Sequence, residues 1–427
     1  NSTGELKAYP LDDRIPAIID VETEINTIES LPEKDVIYEI KINRYPIAQF
    51  NAKSSIIREL PLNSGVDGDI DILLSKNNIS QTINPPKISP KKIQLKNRED
   101  LTNQPCILFK SWECSNAPTL PAFFAQPYEG GYRLWVHSPA VSERINMGGK
   151  LDQFLKDKSE VICLGNSWRG FLTESLKSAA EFKLKEESEA ISLRIDINSI
   201  GHVIDWKFSL SVIKPVNLIT TKHLKAINKR KINSKSIPIL LKPVKDSLEV
   251  IYSIINSSIL VNQNHIGSIK LDQHIPNLER LCELQKTFPS RDFQGWSKSF
   301  DSDDPQSIID VHIRLANNIL AKHLIRYKLP FIYKEHEEID LSSINELTKS
   351  ALAIDNNIIV SIDDSLTINE LINSFDKSNE KKILHKLVKH IIPGIHLKLF
   401  KQNKSSLDNE ELIQQLSNKN IESPWCC

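Results

Sequence analysis

The sequence predicts an α+β fold with a small β-rich module at its N-terminus, and three observations indicate this class. Short segments rich in β-branched residues occur before residue 84 and again between about residues 105 and 213. Apolar residues at helical spacing dominate after residue 245, and a stretch rich in proline and lysine separates the first strands from the rest. The predicted organisation is a module over residues 1–84, a linker over 85–100 and a second domain over 101–427.

In the N-terminal module, strands are predicted at Asp35–Ile42 and Gly68–Leu74, where β-branched or alternating residues recur. In the second domain, strands are predicted near 105–110, 131–138, 191–197 and 202–213. The last two are joined by Asn198-Ser-Ile-Gly201, which is typical of a hairpin turn.

Helices are predicted at Asp152–Lys158, Thr220–Lys229, 245–261, 342–353, 367–375 and 379–391. The clearest helix signal is Asp304 followed by Pro305, because aspartate caps a helix and proline suits the first helical position. Apolar residues from Ile308 to Ile319 then recur on one face, and Lys328-Leu-Pro330 ends the helix.

Bulk composition excludes several classes of protein. The 54 basic and 54 acidic residues balance, so overall charge does not indicate nucleic-acid binding. Six cysteines without a C-x-x-C pair argue against a structural zinc site or a secreted disulfide scaffold, and favour a reducing cytoplasm. No apolar run approaches the roughly 18 residues that span a bilayer, so we expect no membrane partner. Because the chain lacks an initial Met and stops at Pro-Trp-Cys-Cys427, we expect a fragment truncated at its C-terminal end.

Two groups of carboxylates could bind a cation, but a structural role is favoured for each. Asp67, Asp69 and Asp71 alternate as on a solvated edge strand and lack the pattern of a calcium loop. The aspartates at 301, 303 and 304 directly precede Pro305, which favours helix capping. No H-E-x-x-H zinc motif and no glycine-rich phosphate loop occur in the sequence.

A basic run extends from residue 222 to residue 245 with almost no acid to offset it. Such a run would neutralise phosphates and bind nucleic acid without sequence preference, although a solvated charged loop is the alternative. An exposed aromatic side chain could add base stacking, and Tyr333 beside Lys334 is the best candidate. The candidate RNA-binding residues are Lys222, Lys225, Lys229, Arg230, Lys231, Tyr333 and Lys334.

Several separated segments resemble, in order, the motifs of the exoribonuclease II (RNB) family. Gly131-Tyr-Arg-Leu-Trp-Val-His-Ser-Pro-Ala-Val-Ser142 is similar to the family's strand beside the active site, and residues 190–209 are similar to its next hairpin. Further similar segments are Gly267–Leu271, Ser307–Asn317, Pro330–His336 and Glu422–Cys427. The resemblance covers about residues 100–427, leaves residues 1–84 unrecognised, and implies a mixed β-sheet surrounded by helices.

The resemblance implies exonuclease activity that degrades single-stranded RNA from its 3′ end, using magnesium held by aspartates. Here the segment Trp112-Glu-Cys-Ser-Asn-Ala-Pro-Thr-Leu-Pro-Ala122 contains no aspartate. The family's carboxylate positions are occupied by Trp112, Pro118, Leu120 and Pro121, its arginine positions by Cys426 and Cys427, and a further aspartate position by Ser138-Pro139-Ala140. Apolar side chains cannot ligate magnesium, which needs oxygen ligands.

The leading hypothesis is therefore a pseudo-nuclease of RNA processing or decay that binds single-stranded RNA, with no catalytic residue, metal or other cofactor. The first alternative is an active 3′-to-5′ exoribonuclease that binds Mg²⁺ through displaced carboxylates such as Glu113, Asp152 or Asp205. The second alternative is a protein–protein interaction module on a filled scaffold of the same fold.

Overall fold

The computed structural model of the chain describes residues 6–10, 18–22, 37–60, 85–94, 96–110, 119–158, 162–164, 167–169, 172–230, 236–264, 300–336, 341–358, 371, 374–375, 377–388, 395–400 and 421–423. The described residues fall into two compact units, those up to residue 60 in one and those from residue 85 onward in the other. Within the described residues, no helix is long and apolar enough to cross a membrane.

The N-terminal unit contains a four-stranded sheet, whose strands are β1 (Leu6–Ala8), β2 (Ile19–Val21), β3 (Ile37–Arg44) and β4 (Ala52–Leu60). The strand order is β1-β2-β4-β3, with β2 parallel and β3 antiparallel to β4. The strand predicted at 35–42 is confirmed as β3. The strand predicted at 68–74, with its three aspartates, lies outside the described residues.

The larger unit is built on a mixed sheet, as the predicted α+β class requires. The seven strands of this sheet are β5 (Glu99–Asp100), β6 (Cys106–Phe109), β7 (Ala122–Tyr128), β8 (Gly131–Pro139), β11 (Ser188–Ile197), β12 (Val203–Ile213) and β13 (Pro215–Ile219). Between β8 and β11 in the chain, β9 (Ile162–Leu164) and β10 (Ser167–Arg169) form a separate two-stranded ribbon. The sheet has the order β13-β6-β7-β8-β11-β12-β5. Pairs β13–β6 and β12–β5 are parallel, and the other neighbours are antiparallel.

The β7–β8 hairpin explains the glycines that precede the strand of residues 131–139. Glu129 and Gly130 both have positive φ, 45° and 78°, as a two-residue turn between right-twisted strands requires. A Cβ on Gly131 would lie 2.0 Å from the backbone oxygen of Ile197 in β11. Only glycine therefore lets β8 begin this close to the end of β11.

The predicted hairpin between β11 and β12 is also confirmed. The two strands pair antiparallel from Ser188↔Ile213 to Ile197↔Val203, with a bulge near the turn. At the turn, the Asn198 side chain accepts hydrogen bonds from the backbone N–H groups of Ile200 and His202. Gly201 takes a positive φ of 83°.

The helices are α1 (Lys150–Lys158), α2 (Glu174–Ala180), α3 (Thr221–Lys229), α4 (Leu248–Asn264), α5 (Pro305–Arg326), α6 (Leu341–Ile354) and α7 (Lys381–Val388), with short 3-10 helices at Ser142–Arg144 and Ile239–Ser247. Five predicted helices are confirmed as α1, α3, α4, α5 and α6, and α7 lies within the segment predicted at 379–391. The helix predicted at 367–375 falls mostly outside the described residues.

The Asp304-Pro305 signal marks the start of α5. The Asp304 side chain accepts a hydrogen bond from the Gln306 backbone N–H at 3.2 Å, and Pro305 opens the helix. The capping interpretation of this aspartate is confirmed. After α5, strand β14 (Phe331–His336) pairs antiparallel with β15 (Ile395–Phe400).

Both faces of the seven-stranded sheet are covered, because alternate residues along each strand point to opposite sides. On one side, Phe123, Leu193 and Ile195 pack with apolar residues of α4 and α5 in the largest core cluster. We call this side the helix-covered face. The opposite side carries Trp135 and His137, and we call it the histidine face.

Candidate functional site

The loop between β6 and β7 is where the resemblance places magnesium-binding aspartates. Residues 111–118, with Trp112, Glu113 and Pro118, lie outside the described residues. At the end of the loop, Pro121 is buried and Leu120 packs against the largest core cluster. The two described positions of this set therefore present apolar side chains that take part in the core.

The segment leading to the C-terminal cysteines is held against α5 and β14. The Asn318 side chain donates to the Ile421 backbone oxygen at 3.0 Å, and the Ser423 backbone N–H donates to Asn317 O at 3.1 Å. The Ser423 hydroxyl donates to Ile332 O at 3.2 Å. These bonds fix the chain directly before Pro424, while Cys426 and Cys427 lie outside the described residues.

The other carboxylates considered as displaced metal ligands have local partners. Asp152 accepts from the Gly148 backbone N–H at 2.8 Å and pairs with Lys156 at 2.8 Å, and these interactions, the lysine first, lower the pKa of Asp152. Asp205 on β12 pairs with Arg194 on β11. No group of three or more His, Cys, Asp or Glu side chains that could hold a metal occurs among the described residues.

Helix α3 presents the exposed part of the basic run. Lys222, Lys225 and Lys229 are exposed and recur at helical spacing on one side, while Leu224 and Ile227 are buried on the other. Part of the predicted basic run therefore forms one exposed lysine face of α3.

Of the three other basic members of the predicted RNA-binding set, the structure describes the side chain of Arg230. Arg230 is half-buried and donates to Ser236 O at 3.2 Å and to the Tyr252 hydroxyl at 3.4 Å, which ties down the end of α3. Lys231 and the side chain of Lys334 lie outside the described residues.

The prediction that Tyr333 is exposed is wrong. Its side chain is only 7% exposed and packs beside Phe331, with ring centroids 5.8 Å apart, in a cluster that includes Phe400. Alternation along β14 turns Phe331 and Tyr333 inward and leaves Ile332 exposed. A buried ring cannot stack on a base.

Comparison with known proteins decides the family. A family described as the RNB domain matches residues 98–411, about three-quarters of the chain. The chain belongs to the RNB family. Comparison with curated protein sequences finds no match.

Three solved structures share the RNB fold of this chain. Mycoplasma genitalium RNase R in complex with double-stranded RNA has 15% sequence identity and a TM-score of 0.66, over 95% of this chain and 70% of that one. The same enzyme with ribose methylated single-stranded RNA has 14% identity and a TM-score of 0.67, over 98% and 65%. Yeast Ssd1, described as a pseudonuclease, has 14% identity and a TM-score of 0.65, over 97% and 53%. At this identity the likeness establishes the fold alone.

Within the RNB sheet of this chain, a line of buried polar groups crosses the histidine face. His137 Nδ1 lies 2.6 Å from the Ser192 hydroxyl, which is hydrogen-bonded to Ser211, and His137 Nε2 lies 3.5 Å from Cys106 Sγ. Burial lowers the pKa of His137 to about 3 and raises that of Cys106 to about 12, so both groups are neutral at pH 7.

This line is structural, because His137, Ser192 and Ser211 are each 0% exposed and a substrate cannot reach them. In the sequence, His137 stands out only as part of the motif of residues 131–142. Its serine partners come from other strands, so no local pattern predicts the contact.

Proposed function

We propose that this chain is an RNB-fold protein of RNA processing or decay that binds single-stranded RNA and lacks the magnesium-dependent exonuclease chemistry of its family. It would act as a regulatory or scaffolding pseudo-nuclease, in a reducing cytoplasm as its scattered cysteines favour. The observation that carries the proposal is the apolar character of the residues at the family's carboxylate positions, where Leu120 packs against the core and Pro121 is buried.

Residue chemistry supports the loss of hydrolysis. Paired magnesium ions stabilise both the attacking and the leaving oxygen of a phosphodiester, and they require several carboxylate ligands. Tryptophan, proline and leucine offer no side-chain oxygen, and cysteine offers neither the charge nor the fork geometry with which arginine holds a phosphate. Replacement of both sets together favours a common cause, namely relaxed or redirected selection on hydrolysis.

RNA binding is supported by the lysines of α3. Their ammonium groups are exposed on one helix face, where they can lie along a phosphate backbone. Nearby, the Asn228 side chain donates to Asp303 at 2.7 Å, so one acid borders the lysine face. Two structures of the same fold motivate the proposal separately: Mycoplasma genitalium RNase R is known in complex with RNA, and yeast Ssd1 is described as a pseudonuclease.

Incubation of a 3′-extended, labelled single-stranded RNA with the purified chain and Mg²⁺ tests the loss of activity. We expect the RNA to remain full-length, because the ligands are missing. Magnesium-dependent shortening to small products would overturn the pseudo-nuclease proposal and favour the displaced-carboxylate enzyme. In that case, Asp152→Asn and Asp205→Asn variants would identify which acid is needed.

Fluorescence anisotropy with the same RNA tests binding. We expect the triple variant Lys222→Gln, Lys225→Gln, Lys229→Gln to bind more weakly and to reduce the slope of log K against log salt by about 2, roughly 0.7 for each lost single-strand phosphate contact. The matched control changes three exposed lysines elsewhere, Lys349, Lys377 and Lys381, and should leave the slope unchanged. If the wild-type chain binds no RNA at low salt, the proposal is wrong and the protein-interaction alternative is favoured.

A further inference from the structure

The outer edge of β12 is an open sheet edge. β12 lies between β11 and β5, but β5 pairs only with Ser211 and Val212. From Val203 to Leu210, β12 therefore has no strand partner on its outer side within the described part of the chain. Ile204 and Leu210 on this strand are 57% and 47% exposed, so the described residues leave both side chains largely in contact with solvent.

The backbone along this edge can accept another strand. Val212 O accepts a hydrogen bond from Leu101 N at 2.9 Å, so the polar groups of Val212 point outward. In a strand, alternate residues direct their N–H and C=O groups to the same side, which turns those of Trp206, Phe208 and Leu210 outward as well. Such a row of polar groups is a template for strand pairing.

Two charged side chains border this edge, and each has a partner within the same copy. Asp205 pairs with Arg194, and Lys207 lies 3.6 Å from Glu99. Both charged residues lie on the histidine face of β12, while Trp206 and Phe208 lie on the helix-covered face. The edge therefore carries an acid and a base, Asp205 and Lys207, on one face and apolar side chains on the other.

We propose that the partner of this edge is a second copy of the chain, paired antiparallel with Trp206 opposite Trp206 of that copy. In this register, Asp205 faces Lys207 of the second copy on both sides of the two-fold axis. Opposite charges directly across a strand pair are favourable. The neighbouring ion pairs extend this contact into a row of alternating charge, from Arg194 and Asp205 of one copy to Lys207 and Glu99 of the other.

The competing register is disfavoured by the same charges. A shift of one residue in each copy would place Lys207 opposite Lys207 of the second copy, and like charges across a strand pair repel. The bulge at Ile204, which has no partner in β11, limits the pairing at the other end. In the Trp206 register, Ile204 of one copy lies opposite the half-buried Phe208 of the other, so the 57% exposed Ile204 side chain loses exposed apolar surface on pairing.

Sedimentation velocity over a wide range of protein concentration tests the proposal with the charge variants Asp205→Lys and Lys207→Glu. We expect the wild-type chain to dimerise, and each variant alone to dissociate about tenfold more readily or worse, because its edge meets a like-charged edge. An equimolar mixture of the two variants should form a heterodimer with nearly wild-type affinity, since their edge charges are opposite. A variant whose fold is only destabilised would not regain dimer affinity in such a mixture.

The control is Lys349→Glu, which makes the same charge change on exposed α6 and should dimerise like the wild type. Circular dichroism checks that every variant is folded. A wild-type chain that stays monomeric at all concentrations would overturn the proposal and favour a foreign occupant of the edge. Variants that dimerise as well as the wild type, or a mixture that is not rescued, would overturn it too. None of these outcomes depends on RNA.

Discussion

The two faces of the seven-stranded sheet are both buried, but they are held in different ways. The helix-covered face joins the sheet to α4 and α5 through apolar side chains such as Phe123 and Leu193. Its buried histidine, His312, donates a hydrogen bond from Nδ1 to the Ile308 backbone oxygen of its own helix, 2.9 Å away. On the histidine face, polar groups instead connect strand to strand, from Cys106 through His137 and Ser192 to Ser211.

This difference indicates a division of roles. The helix-covered face contains the largest cluster of buried apolar residues, and burial of apolar surface is the main favourable contribution to folding. A buried hydrogen bond adds little net energy but is costly to leave unmade, so the histidine face penalises a wrong strand order or register.

Leu193→Ala should give the largest effect. Leu193 is 0% exposed on the helix-covered face, and its truncation leaves a cavity between β11 and the helices. We expect the free energy of unfolding to fall by about 2 to 5 kcal/mol. Urea unfolding followed by tryptophan fluorescence measures it, because all six tryptophans follow residue 100 and report on the larger unit. A loss under about 1 kcal/mol would contradict the role given to this face.

Acid should destabilise both faces equally through their histidines. Burial lowers the pKa of His137 to about 3 and that of His312 to about 4, below the value of about 6.5 for an unfolded chain. Because the folded values are depressed, this stability is fully present above pH 6.5 and is lost as the pH falls towards 4. The loss is on the order of 3 kcal/mol for each histidine.

Urea unfolding of the wild type, His137→Gln and His312→Gln between pH 7 and 4 measures this loss. In each variant the free energy of unfolding should fall less steeply as the pH is lowered, and by a similar amount. The reason is that the replaced histidine no longer binds a proton when the chain unfolds. If the pH dependence of the free energy of unfolding becomes weaker in only one variant, the two histidines do not contribute equally to the loss of stability in acid.

Arg98→Met tests how much the buried interactions of Arg98 stabilise the histidine face. The Arg98 side chain is 2% exposed and donates to Ala190 O and Ser211 O at 3.1 Å each, and it also pairs with Glu143. Because Glu143 is partly hydrated, we expect a loss of about 2 to 3 kcal/mol in urea unfolding, less than for a fully buried ion pair. Lys156→Met is the control, since its exposed contact with Asp152 should contribute under about 1 kcal/mol.

Local signals in the sequence predict the elements whose determinants lie close together in the chain. Asp304 and Pro305 start α5, and Asn198 with Gly201 closes the β11–β12 hairpin, so both were predicted correctly. Strand β7 was missed because Ala122-Phe-Phe-Ala-Gln-Pro-Tyr128 contains no β-branched residue, and its pairing with β8 decides its conformation.

The site was predictable to a similar degree. The lysine face of α3 follows from helical spacing within one element. The burial of Tyr333 does not, because Phe400 in its cluster comes from β15, far along the chain. Long-range contacts of this kind also hide the line from Cys106 to Ser211, whose members give no pattern in the sequence.

Ser192→Ala should give the smallest of these effects and is the sharpest test of the two-face comparison. Ser192 is the neighbour of Leu193 on β11, is equally buried at 0% exposed, and points to the opposite face. Its loss leaves His137 Nδ1 without the 2.6 Å partner but creates almost no cavity, so we expect about 1 to 2 kcal/mol in urea unfolding. Ser192→Thr keeps the hydroxyl and controls for the hydrogen bond, although its added methyl must fit a closed interior. If Ser192→Ala costs as much as Leu193→Ala, the polar line stabilises the fold as strongly as the apolar contact does, and the division of roles between the faces is wrong.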